Sequence, residues 1–316
     1  MTIETIDKNI HIEAAPLAGY TDRTFRKVLI ECGAKTVYTE MISTTALCYN
    51  SGRTQKMLEL DKAPGVTNVV QIFGNNPEHF ERSIKEGHFE QYDEININMG
   101  CPAKKVVSNG DGAALMLDPN LAGKVIENCV KSTSKPVTVK MRLGYHPIDR
   151  DINDGKPSEV LELAKMSEDL GAAKVIVHGR VAAQGYTGSA DYYAIKEVVD
   201  ALSIPVIANG DITSRAKANE CLEITGAQGI MLGRANIGSP WNITLPDQQP
   251  SLEQVVAILK RHLELAKINE VHFPALRKQL VEYFNHLPNG KNLKTEVVKL
   301  ADYGQVYDLI EQSLAY

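Results

Sequence analysis

Short apolar runs rich in β-branched residues recur along this chain about every 30 residues, and segments of helical spacing separate them. The runs are HIEAAPLAG (11–19), AKTVYTEM (34–41), TNVVQIFG (67–74), EININMG (94–100), KPVTVKMRLG (135–144), KVIVHGR (174–180), IPVIANGD (204–211) and GIMLGRA (229–235). Between them lie stretches such as PEHFERSIKEG, NLAGKVIENCVKST, SEVLELAKMSEDLG and YAIKEVVDALS, which carry an apolar stripe at helical period. Strands that alternate with amphipathic helices pair in parallel through βαβ units. Eight units in about 240 residues predict a closed (β/α)8 TIM barrel over 1–242, with an open doubly wound sheet as the competing arrangement.

After Trp241 the pattern changes. TLPDQQPSLEQ reads as a linker, and beyond it residues 252–269, 273–286, 290–300 and 303–314 show helical spacing with no strand signal. Pro274 opens one of these helices, and LPNG (287–290) turns the chain between two others. The sequence predicts a small helical domain over 243–316.

No apolar run reaches the roughly 18 residues needed to cross a bilayer, and MTIETIDKNIHIEAAP lacks the basic start and apolar stretch of a signal peptide. A cytoplasmic protein is expected. The five cysteines are odd in number and form no CxxC pair, which argues against a disulfide framework or a thiolate zinc site. The histidines show no ligand spacing, so no metal is expected. The net charge of −5 advertises no nucleic-acid partner, and any basic surface has to be local.

In a TIM barrel the chemistry sits where strands end. There the chain delivers Pro16, Leu17 and Ala18; Gln71; Asn98 and Cys101; Lys140 and Arg142; His178 and Arg180; Asn209, Gly210 and Asp211; and Gly233 with Arg234. Polar side chains thus converge on one rim. ANGDI and LGRA, after the seventh and eighth runs, have the position and glycines of a barrel phosphate site, with Arg234 as the charge. The GDG at 110–112 does not extend to a dinucleotide fingerprint. Cys101, set between glycine and proline where strand becomes loop, is a reagent, a ligand or a buried filler on this reading.

Taken in order, APLAGYTD, NMGCPAKKV, GDGAALM, VKMRLG, VHGR, ANGDI and LGRA resemble the tRNA-dihydrouridine synthase family over about residues 10–240, and the helical tail suits that family. The resemblance implies an FMN-bound TIM barrel that reduces uridines of tRNA to 5,6-dihydrouridine with NADPH. It implies a flavin site made by the backbone of Pro16, Leu17 and Ala18, by Gln71, Lys140 and His178, and by Asn209, Gly210, Asp211, Gly233 and Arg234. Leu17 stands where methionine is common. Asp211, being an anion, is expected to bind a ribityl hydroxyl or a neighbour, leaving phosphate to the amides.

Cys101 then becomes a proton donor. Hydride addition to uracil carbon 6 leaves enolate character at carbon 5, and a thiol with pKa near about 8.5 is protonated at neutral pH yet acidic enough to quench it. Asn98 is expected on the uracil edge and Arg180 on substrate phosphate or base. Lys104, Lys105, Arg277 and Lys278 are expected on tRNA, with Arg261, Lys267, Lys291 and Lys294 as further tail cations; a monomer is expected. Two other readings remain: an FMN barrel acting on a free pyrimidine, similar to dihydroorotate dehydrogenase, and a non-catalytic RNA-binding barrel.

Overall fold

The structure is a computed structural model that describes residues 10–146 and 158–314. Most of the N-terminal stretch read above as lacking a signal peptide lies outside the described residues. Eight parallel strands close on themselves in sequence order: β1 (Ile12–Ala14), β2 (Thr36–Ser43), β3 (Thr67–Phe73), β4 (Glu94–Met99), β5 (Val137–Arg142), β6 (Lys174–His178), β7 (Val206–Asn209) and β8 (Gly229–Leu232). The first and last strands seal the ring, with Ile12 opposite Ile230 and Ala14 opposite Leu232. The (β/α)8 barrel is therefore closed, and the open-sheet alternative is excluded.

Each strand shows one face to the helices and one to the barrel axis. Along β4, Ile95, Ile97 and Met99 join the large apolar layer under the helices. Glu94, Asn96 and Asn98 point the other way, all buried. The interior holds a small apolar cluster of Ala15, Tyr38, Val69, Ile176, Ile207 and Met231, with the polar column of β4 beside it. On β2 the register slips by one residue between Tyr38 and Met41. Such a bulge re-aims side chains, and here Met41 faces the upper cavity.

Helix starts follow side-chain capping, which satisfies amides the first turn leaves unpaired. Asp22 accepts from Phe25 N (2.9 Å) and Asp118 from Leu121 N (3.0 Å). Ser251 and Gln254 form a reciprocal capping box that opens the tail.

The tail consists of helices Leu252–Ile268, Phe273–Tyr283, Gly290–Val297 and Tyr303–Leu314, close to the expected spans. They surround Leu259, Leu276, Leu280, Phe284, Val306 and Ile310. Each such buried side chain contributes about 1.5–3 kcal/mol. The expected boundary after residue 242 falls within an interlaced stretch: Trp241 packs with the tail, whereas Ile243 and Leu245 belong to the barrel layer. The tail is tied to helix Arg23–Glu31 by Arg261–Glu31 (3.0 Å) and Asn269–Thr24 (2.9 Å), and to its cap by Gln279–Asp22 (2.8 Å). Arg261 is thus an interdomain tie, which corrects its reading as a cation free for RNA. No helix among the described residues is long and apolar enough to cross a membrane.

Candidate active site

A cavity of about 870 Å³ opens at the C-terminal rim of the barrel, within the roughly 300–1,000 Å³ range of ligand pockets. Every strand but β2 contributes an expected residue to it. Pro16, Leu17 and Ala18 follow β1; Gln71 sits on β3; Asn98 and Cys101 end β4; Lys140 lies on β5 and His178 on β6. Asn209, Gly210 and Asp211 come from β7, and Gly233 and Arg234 from β8. Arg180, Lys104, Lys105, Arg277 and Lys278 do not line it.

Burial shapes the charges. Lys140 is pulled down to about 7 by desolvation and by the neighbouring Arg142; its Nζ donates to Asn209 Oδ1 at 3.1 Å, and Asn209 Nδ2 donates to Met231 O at 2.8 Å. His178 is driven to about 2 by burial and by the cations Lys140, Arg142, Arg180 and Arg234, so its ring is neutral. Burial raises the Cys101 thiol, with the Ala103 amide, Arg142 and Lys140 pulling partly the other way. It rests as a thiol.

The loop that carries Cys101 is held from several sides. Gly100 N and Cys101 N donate to Asn98 Oδ1 at 3.2 and 3.0 Å, and Ala113 N donates to Cys101 O at 3.1 Å. Gly112, at φ +61°, approaches this loop so closely that an added Cβ would sit 2.8 Å from Cys101 O. That contact explains the second glycine of GDGAALM.

Several expected roles change once partners are visible. Asn98 does not offer a free edge to a base: its oxygen takes the two loop amides, and its Nδ2 donates to Gln71 Oε1 at 2.8 Å. Arg180 is only 2% exposed. Four of its five N–H donors go to Asp211 (2.9 and 2.7 Å), Thr187 O (3.0 Å) and Gly188 O (2.6 Å), so the side chain is spent on the rim and turned away from the cavity. Asp211 has found a neighbour, as one branch of the expectation held. Burial raises its carboxyl, but Arg180, the Ala190 amide and Arg234 hold it below the usual range. Gly210 is required by packing, since a Cβ there would lie 2.7 Å from Ala190 Cβ, whereas a Cβ at Gly233 would make only ordinary contacts, 3.6 Å from Ala15 Cβ and 3.9 Å from Leu17 Cδ2.

The expected tRNA cations divide. Lys104 and Lys105 are exposed beside the Cys101 loop and form no ion pair among the described residues. Arg277 donates to Val298 O at 2.6 Å, at the end of helix Gly290–Val297. Lys278 lies over the Tyr20 ring at 5.0 Å, against Gly19 of the first loop. Lys294 pairs with Glu282, while Lys267 and Lys291 are exposed and unpaired among the described residues.

Tyr186 and Met41 line the cavity without having been singled out from the sequence. Tyr186 is exposed and lies under two guanidinium groups, Arg234 at 4.6 Å and Arg142 at 5.8 Å. A tyrosine between two glycines, in the loop after a barrel strand, was the available signal. Arg142 itself braces the rim, donating to Gly100 O, Val181 O and Gly185 O. No cluster able to hold a metal occurs among the described residues.

A sequence model of the family described as dihydrouridine synthase (Dus) matches residues 13–315. The chain belongs to the dihydrouridine synthase family. A probable tRNA-dihydrouridine synthase of Rickettsia bellii is 36% identical over 320 residues, spanning 98% of this chain and 96% of that protein. A tRNA-dihydrouridine synthase B of Pseudomonas aeruginosa is 34% identical over 304 residues, spanning 91% and 88%. At the level of fold, the solved structure of 6-hydroxypseudooxynicotine amine oxidase from Pseudomonas geniculata aligns with a TM-score of 0.56 at 12% identity, covering 73% of this chain and 46% of that one. Membership makes the protein an enzyme, an oxidoreductase of a flavin-dependent family. The non-catalytic reading falls with it.

Proposed function

We infer that this enzyme reduces uridines in tRNA to 5,6-dihydrouridine, with FMN as the bound hydride carrier, NADPH as the reductant and Cys101 as the proton donor to carbon 5. The observation that carries this reading is the shared cavity: the Cys101 thiol, kept protonated by burial, lines the same 870 Å³ space as Gln71, Lys140, His178 and Arg234.

The donor set fits FMN. Gln71 and Lys140 supply an amide and an ammonium for the polar edge of a ring, and neutral His178 adds an uncharged face. Gly233, which lacks a side chain and lines the cavity, and the start of the 3-10 turn Arg234–Asn236 suit a phosphate, because the first amides of a helical turn have no partner within it. Pro16, Leu17 and Ala18 would line the ring, Asn209, Gly210 and Asp211 the ribityl side, and Arg234 the phosphate. Bound there, FMN would pass hydride from NADPH to carbon 6 of uracil.

The remaining steps belong to the protein. Cys101 gives its proton to carbon 5 and recovers one from water. Lys140, nearly neutral in pKa, answers added negative charge in the cavity by holding its proton. A uridine within folded tRNA has to leave its stack to reach this depth. We assign 243–316 to tRNA binding, with Lys267, Lys291, Lys104 and Lys105 as the cations free to meet phosphates. Arg277 braces two helices within the tail and Lys278 lies over Tyr20 of the first loop, beside that path. The reading includes a monomer in the cytoplasm, where tRNA and NADPH are both at hand.

Two measurements test it. Denatured protein should release FMN by mass, and recovery of no flavin, or of FAD, overturns the cofactor. Cells lacking the gene should lose dihydrouridine from tRNA at defined positions; an unchanged tRNA map overturns the substrate.

A further inference from the structure

A single file of hydrogen bonds runs down the barrel axis from the Cys101 loop to the barrel floor. Cys101 N donates to Asn98 Oδ1 at 3.0 Å, Asn98 Nδ2 to Gln71 Oε1 at 2.8 Å, and Gln71 Nε2 to Asn96 Oδ1 at 2.8 Å. Asn96 Nδ2 then donates to Thr138 Oγ1 at 2.9 Å, and the Thr138 hydroxyl to Glu94 Oε1 at 2.6 Å. Below that, Lys174 Nζ bridges Glu94 at 3.1 Å and Glu13 at 2.7 Å, while Tyr38 donates its hydroxyl to Glu13 at 2.6 Å. Gln71, Asn96 and Thr138 are 1%, 0% and 1% exposed, so water cannot substitute for a lost partner.

From Cys101 down to Glu94 every link points the same way, and the two ends dictate it. Backbone N–H groups at the top only donate, so the Asn98 oxygen has to face them. Burial raises the Glu94 carboxyl, but its ion pair with Lys174 favours the carboxylate, which only accepts, so the Thr138 proton has to face it. Thr138 has a single proton, already given to Glu94, and its oxygen must then accept from Asn96. Each terminal amide between has one donating and one accepting end, so fixing one fixes the next. Turning any of them would set donor against donor or acceptor against acceptor in a dry interior.

We propose that Asn96 and Thr138, which lie below the cavity and do not line it, are positioning residues of the reaction: they set the amide orientation of Gln71 and Asn98 and thereby the placement of the Cys101 loop. The proposal rests on the functional reading above, and it adds that the ionic floor of the barrel is wired to the proton-donating loop.

Thr138→Val keeps the shape and removes the acceptor that Asn96 needs, while Thr138→Ser keeps it. In the flavin-loaded protein, compared per bound FMN because Gln71 also serves the flavin, Thr138→Val should keep NADPH reduction within about twofold. It should form dihydrouridine in single turnover at least tenfold more slowly, and shift the pH profile of iodoacetamide labelling at Cys101, read by peptide mass. Thr138→Ser should restore both. Should Thr138→Val fold poorly, Asn96→Asp serves: a protonated carboxyl reproduces the amide's donor and acceptor ends, and an ionised one does not. Its product formation should fall with rising pH across a range where the wild type is flat. Wild-type turnover and labelling in Thr138→Val, or losses in FMN, NADPH reduction and labelling that Thr138→Ser fails to restore, overturn the proposal. A flat pH profile for Asn96→Asp does the same. The labelling readout needs neither flavin nor tRNA, so it stands or falls apart from the assigned substrate.

Discussion

Arg180 and Asp211 grip each other at two points, Nη1 to Oδ1 at 2.9 Å and Nη2 to Oδ2 at 2.7 Å, joining the ends of β6 and β7. The same two residues bind Thr187 O, Gly188 O and Ala190 N, so the loop that presents Tyr186 hangs on this ion pair. Removing one partner of a fully buried pair typically costs about 3–5 kcal/mol. Asp211 is 32% exposed and water can solvate it once orphaned, so Arg180→Ala should lower stability by less than that and loosen the Tyr186 loop, as urea unfolding and limited proteolysis would read. Arg180→Lys should not recover it, because a single ammonium cannot reproduce the planar fork. Since the Asp211 carboxyl is held below its usual range, the pair stabilises above about pH 4 and fades as pH falls through the lowered value. An Arg180→Ala melt equal to wild type would show the pair to be dispensable.

Cys101→Ala preserves most of the loop volume and removes the acid. FMN content and NADPH oxidation should survive, while dihydrouridine formation should drop about 10²–10⁴-fold, the usual worth of general acid catalysis. Cys129→Ala and Cys221→Ala, both buried on helices, should change stability alone. Product formed by Cys101→Ala at the wild-type rate would make the thiol a bystander.

The low Lys140 pKa has a thermodynamic signature. In flavin-free protein the native lysine loses its proton near pH 7 and the unfolded one near about 10.4. Between those values the unfolded state binds the extra proton, so this lysine makes stability rise with pH, by at most about 1.4 kcal/mol per unit. Below that window both states are protonated and the slope vanishes. Comparing denaturation of wild type and Lys140→Met at pH 6, 7.5 and 9, as points flanking about 7, isolates the contribution. Parallel pH curves for the two proteins would refute the assignment.

Lys104 and Lys105 stand exposed beside the Cys101 loop with no ion pair among the described residues. Replacing both with alanine should weaken tRNA binding and reduce the log–log salt slope by about two, one per phosphate contact. FMN binding should be untouched. Unchanged affinity and slope in a filter-binding series would move the tRNA path elsewhere.

The barrel was legible because its period is local. Each apolar run needs only its own alternation to become a strand, and eight of them with helices between leave few ways to close. The tail helices were legible for the same reason, down to the turn at LPNG. Rim membership followed at once: knowing that strand ends meet was enough to gather Gln71, Cys101, Lys140, His178 and Arg234 from five distant segments.

What the residues do at the rim was decided by the tertiary structure. Asn98 and Arg180 look from the sequence like hands extended to a substrate, yet one holds the Cys101 loop and the other is locked to Asp211. Arg261 looks like an RNA cation and instead ties the tail to helix Arg23–Glu31, while Arg277 gives one nitrogen to a carbonyl of its own tail. A polar side chain carries its donors and acceptors in its formula, so the sequence by itself fixed the element pattern and the set of groups brought to the rim. Which of those groups stay free depends on partners up to hundreds of residues away, as Arg261 and Glu31 show, and only the folded chain chooses them.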